Sequence, residues 1–453
     1  MSTANDRYLT QKALRSLIEA DEVDTVVLAF TDMQGRLQGK RLHGRYFLDV
    51  ALEQGTEGCN YLLAVDVDMN TVDGYTISSW EKGYGDMEFV PDWDTLRLLP
   101  HLPATALVQC DLVWLDHAPV PQSPRTILKT QLEKVAAMDM VALSGTELEF
   151  IAFNNTYEEA HDKHWRDLTP VNQYNIDYSL IGTSRVEPLL RDIRNHMYAA
   201  GMDVEGVKGE CNLGQHEVGF LYAEALVTAD NHAVYKTAAK EIAAQHGKSL
   251  TFMAKYNQRE GNSCHIHLSL RGDNGDVVFW DGDQRTPLYD HFIAGVLATL
   301  REFTLLYAPN VNSYKRFAAG SFAPTAVAWG LDNRTCAVRL VGHGPSARME
   351  NRLPGGDVNP YLALAGMLAG GLHGIDNELA LEDELVGNAY DSDKPHVPHT
   401  LREARELFAG SAIARSAFGD EVVDHYVNMA DVELASFDAH VTDWELARSF
   451  ERM

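Results

Sequence analysis

The sequence predicts an α+β protein with a small amino-terminal unit followed by one large α+β domain. Its 453 residues allow up to about three domains, and one large unit with a smaller companion fits that length equally well. Two observations favour the two-part arrangement. An apolar strand turns into a second strand early in the chain, and a proline-rich stretch from Asp116 to Arg125 then reads as a linker before a longer alternation of strands and helices.

The amino-terminal unit supplies the first predicted elements. A polar amphipathic pattern predicts a helix near Gln11 to Ala20. The run VDTVVLAFTDMQGRLQGKRL then predicts two strands joined at Gln34-Gly35, because glycine adopts turn conformations without steric cost. Together these elements indicate a small, mostly stranded unit that ends before the linker.

Helices and strands alternate beyond the linker. Helical spacing predicts helices from Thr126 to Met138 and from Ala229 to His246, the second ending at Gly247, and the last sixty residues also have a helical pattern. The small, apolar run from Leu362 to Leu372 predicts a helix in the core of the larger domain. This run is about a dozen residues long, short of the roughly 18 needed to span a bilayer, so we expect no membrane role.

Composition excludes several classes of function. The chain has 38 basic and 65 acidic side chains, a formal charge of −27. Such a charge repels phosphate backbones, and no basic stripe interleaves with aromatic residues, so we expect no nucleic-acid partner. The first residues, MSTANDRYLTQ, have no basic region followed by an apolar run, so no conventional secretory signal is predicted.

The cysteines indicate a reducing compartment. There are five, an odd number, and they are widely scattered with no CxxC pair. Neither a disulfide framework nor a thiolate zinc site is therefore supported, and a cytoplasmic location is predicted.

Three segments alternate ionisable and apolar side chains. Successive side chains of a strand point to opposite faces, so each of these segments predicts a strand with one ionisable face. A solvated sheet face is the ordinary explanation for one such strand. Three of them, almost free of lysine, favour a concave site instead. The ionisable faces carry Glu147 and Glu149 in GTELEFIAF; His265, His267 and Ser269 in NSCHIHLSL; and Arg348, Glu350 and Arg352 in SARMENRLP.

A fourth segment, KGECNLGQHEVGF, adds Glu210 and Glu217. If these carboxylates converge with Glu147, Glu149 and Glu350, five negative charges share one cavity, which repulsion between buried like charges forbids without cations. Oxygen ligands with a single imidazole favour Mg²⁺ or Mn²⁺ over zinc. We therefore expect about two divalent ions, which would nearly balance the five carboxylates.

Arginines cluster late in the chain and indicate what the metals act on. A planar guanidinium is the natural partner of phosphate or carboxylate, so metals beside arginines suggest nucleotide phosphoryl transfer. Surface salt bridges are the alternative explanation. No GxxxxGK[ST] loop and no kinase HRD or DFG set is present, so the common ATP-binding folds are not indicated. The five arginines are Arg316, Arg334, Arg339, Arg348 and Arg352.

These motifs make the chain resemble the glutamine synthetase family, in its bacterial class-I branch, over essentially its whole length. The resemblance rests on GTELEF, ECNLGQHE, GNSC before HIHLSL, NSYKRFAAG, NRTCAVR and RMENRLPGGDVNPYLALA, in the family's order. It implies a β-grasp domain over residues 1–115 and a catalytic domain over residues 121–453, with a curved antiparallel sheet lining the active site. It also implies a homo-oligomer of two stacked hexameric rings, with active sites between neighbouring subunits.

The resemblance implies a role for each candidate residue. Glu149, Glu210 and Glu217 resemble ligands of the metal nearer the substrate carboxyl group, and Glu147, His265 and Glu350 resemble ligands of the metal on the ATP phosphates. Nucleotide contacts correspond to His267, Ser269, Arg339 and Arg348, and glutamate contacts to Gly261, Arg316 and Arg352. Catalytic roles fall to Arg334, placed to neutralise the transferring phosphoryl group, and to Glu149 and Arg316.

The implied reaction has two steps, and the sequence departs from the family at the second. ATP phosphorylates the γ-carboxylate of glutamate, and an amine then displaces phosphate to form an amide. Ammonia-using members carry a glutamate six positions beyond the arginine of NSYKR, where this chain has Phe322. They also carry a phenylalanine-aspartate-glycine-serine-serine segment. We identify no counterpart before Trp80 except YLLAVDVDMN, whose Asp66 and Asp68 are the candidate substitutes.

An aromatic in place of a carboxylate favours an amine that carries carbon, because it removes an ammonium ligand and adds an apolar wall. The sequence therefore predicts a glutamate-amine ligase acting on ethanolamine, an alkylamine or a polyamine. The alternative interpretation of Phe322 is a displaced loop, in which a neighbouring residue takes the role of the family's glutamate. Two other functions stay open: a true glutamine synthetase using ammonium, and a catalytically silent, ring-forming structural protein. Tyr390, in GNAYDSD, corresponds to a tyrosine that some class-I members adenylylate.

Overall fold

The computed structural model describes residues 7–453. The expectation about a secretory signal rests largely on residues 1–6, which lie outside the described residues. The amino-terminal unit contains three helices and six strands in the described residues. These are α1 (Gln11–Glu19), β1 (Thr25–Thr31), β2 (Leu37–His43), α2 (Gly44–Tyr46), α3 (Leu52–Gln54), β3 (Glu57–Cys59), β4 (Asp86–Pro91), β5 (Arg97–Leu98) and β6 (Thr105–Trp114).

One mixed sheet organises this unit, in the order β2-β1-β6-β4-β3, with β5 also paired to β6. Strands β1 and β6 run parallel, and the other pairs are antiparallel. The predicted hairpin is confirmed, with Gly35 at φ +79° in the turn, a left-handed conformation that favours glycine. Helix α1 is confirmed too: Thr10 caps its first turn, and its buried face carries Leu14 and Ile18.

The predicted linker extends two residues too far. The proline-rich segment is irregular up to Ser123, but Pro124 and Arg125 already belong to helix α4. Proline suits the first helical position because its missing N–H needs no partner there. Arg125 is buried and pairs with Asp92 and Asp111 of the amino-terminal unit and with Asp230 of the larger part. It therefore connects helix α4 to both parts of the chain.

The larger part of the chain supplies the remaining elements of the described residues. They are α4 (Pro124–Ala136), β7 (Met140–Phe153), α5 (Tyr157–Asp162), α6 (Leu180–Ser184), α7 (Glu187–Ala199), β8 (Val204–Gly209), β9 (Gln215–Phe220), β10 (Ala223–Glu224), α8 (Ala225–Gln245), β11 (Ser249–Thr251), β12 (Cys264–Gly272), β13 (Trp280–Asp281), β14 (Gln284–Arg285), α9 (Pro287–Thr299), α10 (Thr304–Tyr307), β15 (Trp329–Leu331), β16 (Val338–Val341), β17 (Arg348–Asn351), α11 (Pro360–Asp376), α12 (Leu401–Gly410), α13 (Ala412–Phe418), α14 (Asp420–Ala439) and α15 (Asp443–Ser449).

A second sheet runs β15-β16-β17-β12-β7-β9-β8, and β10 and β11 also pair with β7. The expectation of an antiparallel sheet needs one correction, because β15 and β16 are parallel at one edge and the sheet is therefore mixed. Between them, the chain turns through Asp332 and Arg334 and re-enters the sheet in the same direction. The central pairs, including β12 with β7 and with β17, are antiparallel as predicted.

Helices cover the apolar side of this sheet. Helix α11 is almost wholly buried, which confirms the core assignment of residues 362–372. It packs closely on α9: a Cβ on Gly295 would lie 2.1 Å from the carbonyl oxygen of Gly370, so only glycine allows this approach. Along residues 7–453, every helix is either too short or too polar to cross a bilayer.

Candidate active site

Five adjacent strands bring the predicted site residues together. Antiparallel register places Glu147 of β7 opposite His265 of β12, and Glu149 opposite Glu217 of β9. On the other side of β12, His267 lies opposite Glu350 of β17. Because alternate side chains share a face, these registers place the ionisable groups on one side of the sheet. The registers therefore place Glu147, Glu149, Glu217 and Glu350 on the same side of the sheet.

The first carboxylate group consists of Glu149, Glu210 and Glu217, whose ligand oxygens lie within 4.8 Å of one another. Glu149 and Glu217 are buried, and Glu210 follows the end of β8. The amide of Gln215 and the backbone N–H of Ser263 each donate to Glu149 Oε2, at 2.9 and 2.7 Å. These bonds orient the carboxylate and leave its other oxygen available to a ligand.

The second group consists of Glu147, His267 and Glu350, whose ligand atoms also lie within 4.8 Å of one another. His265 borders the same carboxylates: its Nδ1 is 3.3 Å from Glu147 Oε2 and 3.5 Å from Glu350 Oε1. His267 Nε2 is 3.0 Å from Glu147 Oε1. Both histidines thus reach this group, and the choice of His265 as metal ligand, with His267 as nucleotide contact, stays a prediction.

Electrostatics show how costly the carboxylate clusters are without cations. Burial, with Glu147 and Glu149 nearby, raises the pKa of Glu217 to about 8, although Lys208 opposes the shift. Burial also acts to raise the pKa of Glu147, but hydrogen bonds from His265 and His267 outweigh it and hold that pKa well below its ordinary value. The histidines thus stabilise the charge of Glu147, whereas Lys208 only partly offsets the burial and repulsion that act on Glu217.

The residues present fit divalent metal ions. The donors are mainly carboxylate oxygens with imidazole nitrogen, a set that suits Mg²⁺ or Mn²⁺. The imidazole nitrogens that face these carboxylates are His265 Nδ1 and His267 Nε2, and either could complete the ligand set of an ion bound there.

Lys208 is the side chain in this cluster that sequence reasoning missed. Its Nζ hydrogen-bonds Glu210 and lies 3.6 Å from Glu217 Oε1. It lies on β8 opposite Glu217, and the strand period puts it on the same face as Glu210, two residues later. That spacing in KGE was a usable signal. The ammonium group therefore neutralises part of the charge that metal ions would balance.

Arginines surround Glu350. Arg352 Nη1 donates to Glu350 Oε1 at 2.5 Å, and Arg339 Nη1 donates to Oε2 at 2.9 Å. Arg339 also binds Asp332 through Nε at 2.9 Å, and Arg334 lies 3.8 Å from the same carboxylate. Arg334 is exposed on the turn between β15 and β16. A chain of charges thus runs from the buried Glu350 to the surface.

Arg316 and Gly261 lie together beneath these strands. The Arg316 guanidinium is buried and donates to the backbone carbonyls of Arg352, Leu353 and Pro354 at 2.8–3.0 Å. A Cβ on Gly261 would lie 3.0 Å from Arg316 Cγ and 2.2 Å from the carbonyl oxygen of Ala254. Arg316 therefore fixes the chain that follows β17, and the predicted contact of these residues with glutamate is a separate, untested interpretation.

A cavity of about 690 Å³ opens beside the carboxylates. His267, Ser269 and Arg348, three of the four predicted nucleotide contacts, line it, while Arg339 lies against Glu350. Arg348 Nε donates to His267 Nδ1 at 3.3 Å, which connects this wall to the second carboxylate group. The volume lies within the usual range of small-molecule sites. Tyr178 and Tyr222 also line it and were not predicted.

Phe322 lies on an irregular segment, residues 317–326, which we call the Phe322 loop. Its side chain is 58% exposed, and its φ of +59° is unusual for a bulky residue. Arg352 Nη2 donates to the Phe322 carbonyl at 3.4 Å, and the same guanidinium binds Glu350. The loop is therefore connected to the second carboxylate group through one side chain.

Asp66 and Asp68, the other amine-site candidates, lie elsewhere in the described chain. Asp66 accepts hydrogen bonds from the backbone and side chain of Asn70, at 2.7 and 3.1 Å, and lines a small cavity with Glu433. Asp68 is exposed. Sequence reasoning also passed over Asp73 in VDGYT, an exposed aspartate followed by glycine, as in the family segment.

Comparison with known proteins identifies what this arrangement resembles. Residues 121–449, more than half of the chain, match the family described as glutamine synthetase, catalytic domain. The chain is 65% identical to the γ-glutamylethanolamide synthetase of Streptomyces coelicolor over 440 residues, 97% of this chain and 95% of the relative. It is 37% identical to the glutamate–isopropylamine ligase of a Pseudomonas species over 457 residues, 99% of each. The solved structure of GmaS in complex with ADP superposes with a TM-score of 0.84 at 27% identity, covering 96% of this chain and 99% of that one.

Proposed function

The chain belongs to the glutamine synthetase family, and from that premise we propose that it is an ATP-dependent ligase that joins glutamate to an organic amine. Among amines, we propose ethanolamine. The observation that carries this proposal is the 65% identity to a γ-glutamylethanolamide synthetase along nearly the full length of both chains. Phe322, which supplies an apolar wall at the amine side, supports a substrate that carries carbon.

We propose a reaction in two steps. The γ-carboxylate of glutamate attacks the terminal phosphoryl group of ATP, which gives γ-glutamyl phosphate and releases ADP. The amine nitrogen then attacks the acyl carbon, phosphate leaves and the nitrogen loses a proton. Arg334 lies on the turn between β15 and β16, close to Asp332. We propose that its guanidinium neutralises the transferring phosphoryl group.

The carboxylate groups are the proposed metal sites. Glu149, Glu210 and Glu217 would hold one Mg²⁺ or Mn²⁺ ion, and Glu147 and Glu350 would hold a second, with His265 or His267. Bound ions would neutralise phosphate charge and polarise the reacting oxygens. The chain's own contribution is to fix these ligands on strands, so that little reorganisation is needed when the charge moves.

The proposed substrate contacts follow the cavity and its rim. The nucleotide would lie in the cavity against His267, Ser269 and Arg348, with Arg339 nearby. Glutamate would lie near Gly261, Arg316 and Arg352. Because the Arg316 guanidinium already binds three backbone carbonyls, we propose that it acts mainly by holding Arg352 in place, while Arg352 faces the substrate carboxylates.

The remaining family features are also proposals. The order β2-β1-β6-β4-β3, with β1 and β6 parallel, supports a β-grasp domain over residues 1–115, followed by the catalytic domain over residues 121–453. We further propose a cytoplasmic homo-oligomer of two hexameric rings. In such a ring, an acidic loop with Asp66, Asp68 or Asp73 would complete the amine site of a neighbouring subunit.

An amine panel tests the proposal. Purified protein with Mg²⁺, ATP and glutamate is given ethanolamine, isopropylamine, a polyamine or ammonium, and phosphate and amide are measured together. We expect ethanolamine to give the highest kcat/KM, at least about tenfold above ammonium, because the apolar wall suits an amine that carries carbon.

Two other outcomes would contradict it. Equal or better use of ammonium would make the chain a glutamine synthetase whose ammonium site is rebuilt from other acidic residues. Phosphate release with none of the amines, together with no metal-dependent nucleotide binding by calorimetry, would identify a silent structural homologue.

A further inference from the structure

A short segment, residues 385–397, contacts the carboxyl-terminal part of the Phe322 loop, from Ala323 to Ala326, and we call it the bracing segment. Tyr390 Oη donates a hydrogen bond to the carbonyl oxygen of Ala323 at 3.0 Å. His396 Nδ1 lies 3.0 Å from the carbonyl oxygen of Thr325. Ala323, next to Phe322, is buried. The exposed ring of Phe322 therefore belongs to a loop whose next residues are fixed by contacts with the bracing segment.

Backbone bonds complete this attachment. Val397 N donates to the Thr325 carbonyl at 3.0 Å, and Val327 N donates to the Pro395 carbonyl at 2.8 Å. These bonds hold the carboxyl-terminal end of the Phe322 loop. Among the side-chain contacts that the bracing segment makes, the bond from Tyr390 is the one nearest to Phe322, and a substitution can remove it without disturbing the backbone bonds.

The bracing segment also holds the turn that carries Arg334. Asn333 Nδ2 donates to the carbonyls of Leu385 and Gly387, at 3.2 and 2.8 Å. Ala389 N donates to Thr335 Oγ1 at 2.9 Å. One stretch of chain thus supports both the turn proposed to meet the phosphoryl group and the loop proposed to meet the amine.

The environment of Tyr390 suits a fixed donor. The residue is only partly exposed, and burial raises the pKa of its hydroxyl, so the O–H is retained at neutral pH. The other partner is a backbone carbonyl of a buried residue, which costs free energy if left unpaired. Loss of the hydroxyl therefore weakens the Phe322 loop at the residue directly after Phe322.

We propose that Tyr390 is a positioning residue whose hydroxyl holds the Phe322 loop in the conformation that selects an amine over water. This inference rests on the proposed glutamate-amine ligase function. Phe322 has φ +59°, a conformation that a bulky residue keeps only when its surroundings impose it. Without the bond from Tyr390 the loop relaxes, the amine binds less tightly and water reaches γ-glutamyl phosphate more often.

The test is Tyr390→Phe, which removes one oxygen and keeps the ring. We expect the KM for ethanolamine to rise about fivefold, the size that the loss of one hydrogen bond allows, while the KM for ATP stays within twofold. We also expect more phosphate than amide to be released, at least a twofold increase in uncoupled turnover. Both steps are followed in one assay that measures phosphate and the γ-glutamyl amide.

The matched control is Tyr157→Phe, which removes another partly buried tyrosine hydroxyl that donates to a backbone carbonyl, that of Leu250, at 3.1 Å. It should leave the KM for ethanolamine and the ratio of phosphate to amide unchanged. A second variant, His396→Ala, weakens the same loop from Thr325 and should give the same pattern as Tyr390→Phe. It replaces that variant if Tyr390→Phe does not fold.

The outcomes separate the two proposals. A wild-type protein that releases phosphate with none of the amines contradicts the proposed function. A wild-type protein that makes the amide, with unchanged ethanolamine KM and coupling in both Tyr390→Phe and His396→Ala, overturns the role of Tyr390. Equal changes in the KM for ATP and for ethanolamine would also overturn it, because they would indicate a general structural effect.

Discussion

The carboxylate groups and the Phe322 loop are connected through Arg352, which donates to both Glu350 and the Phe322 carbonyl, but they are built in different ways. All the carboxylates but Glu210, which directly follows β8, lie on strands of a sheet and are fixed by register, burial and hydrogen bonds. The Phe322 loop has no regular structure, its key residue is exposed, and it is held by hydrogen bonds to a distant segment. The carboxylates proposed to hold metal ions are thus fixed mainly by the sheet, whereas Phe322, the residue proposed to distinguish amines, belongs to a loop that can change while the sheet is kept.

Removal of one strand carboxylate should produce the largest effect. In Glu149→Gln the packing is kept but a charged metal ligand is lost, so we expect phosphate release to fall by about a thousandfold. The measurements are phosphate release and Mn²⁺ binding by electron paramagnetic resonance. Glu133→Gln, at an exposed helix position, is the matched control. Activity within tenfold of the wild type would remove Glu149 from the metal site.

Substitution in the loop should change selectivity and leave phosphoryl transfer intact. Phe322→Glu places a carboxylate at the proposed amine side of the site, so we expect kcat/KM for ethanolamine relative to ammonium to fall by about 10- to 100-fold. Nucleotide binding, measured by calorimetry, should stay within about twofold. Phe322→Gln controls for size without charge. If Phe322→Glu impaired nucleotide binding as strongly as amine selectivity, the loop and the carboxylate groups would not be independent.

The smallest effect should come from the cation inside the carboxylate cluster. Lys208 neutralises Glu210 and Glu217, so it competes with metal ions for the same oxygens. In Lys208→Met we expect Mn²⁺ to bind about tenfold more tightly in the absence of nucleotide, because nearby positive charge repels the ion. Titration calorimetry gives the dissociation constant, and Lys163→Met, at an exposed position, is the control. Weaker binding in Lys208→Met would mean that the lysine supports the metal site.

The sequence contained much of the site because its strands follow a simple rule. Alternation placed Glu147 with Glu149 and His265 with His267, and both pairs share faces of β7 and β12 as predicted. A different signal, small apolar residues at helical spacing, predicted residues 362–372 as core, and the burial of α11 confirms it. The order of the motifs along the chain also indicated the family, and the match of residues 121–449 to the family confirms it.

Other features depend on contacts that alternation does not encode. The parallel pairing of β15 with β16 depends on how the Arg334 turn returns to the sheet edge. The Asp66 carboxylate accepts a hydrogen bond from the backbone N–H of Asn70 in a local turn, and the positions of acidic residues in the sequence do not predict this contact. The Tyr390 hydroxyl meets a carbonyl 67 residues earlier in the chain, and no periodic pattern connects the two. Long-range backbone contacts of loops were the part that sequence reasoning could not supply.

The position of Glu147 and Glu149 on one strand has a geometric consequence. Successive residues of a strand advance by about 3.3 Å, so two Cα atoms on the same face are about 6.6 Å apart. Each of these glutamates belongs to a different carboxylate group. The rise of β7 therefore sets the spacing between the backbone positions that serve the two proposed ion sites, and a change of side chain does not alter that spacing. The spacing would change only if a residue were inserted or deleted between Glu147 and Glu149. One of the two side chains would then point to the opposite, apolar face of the sheet.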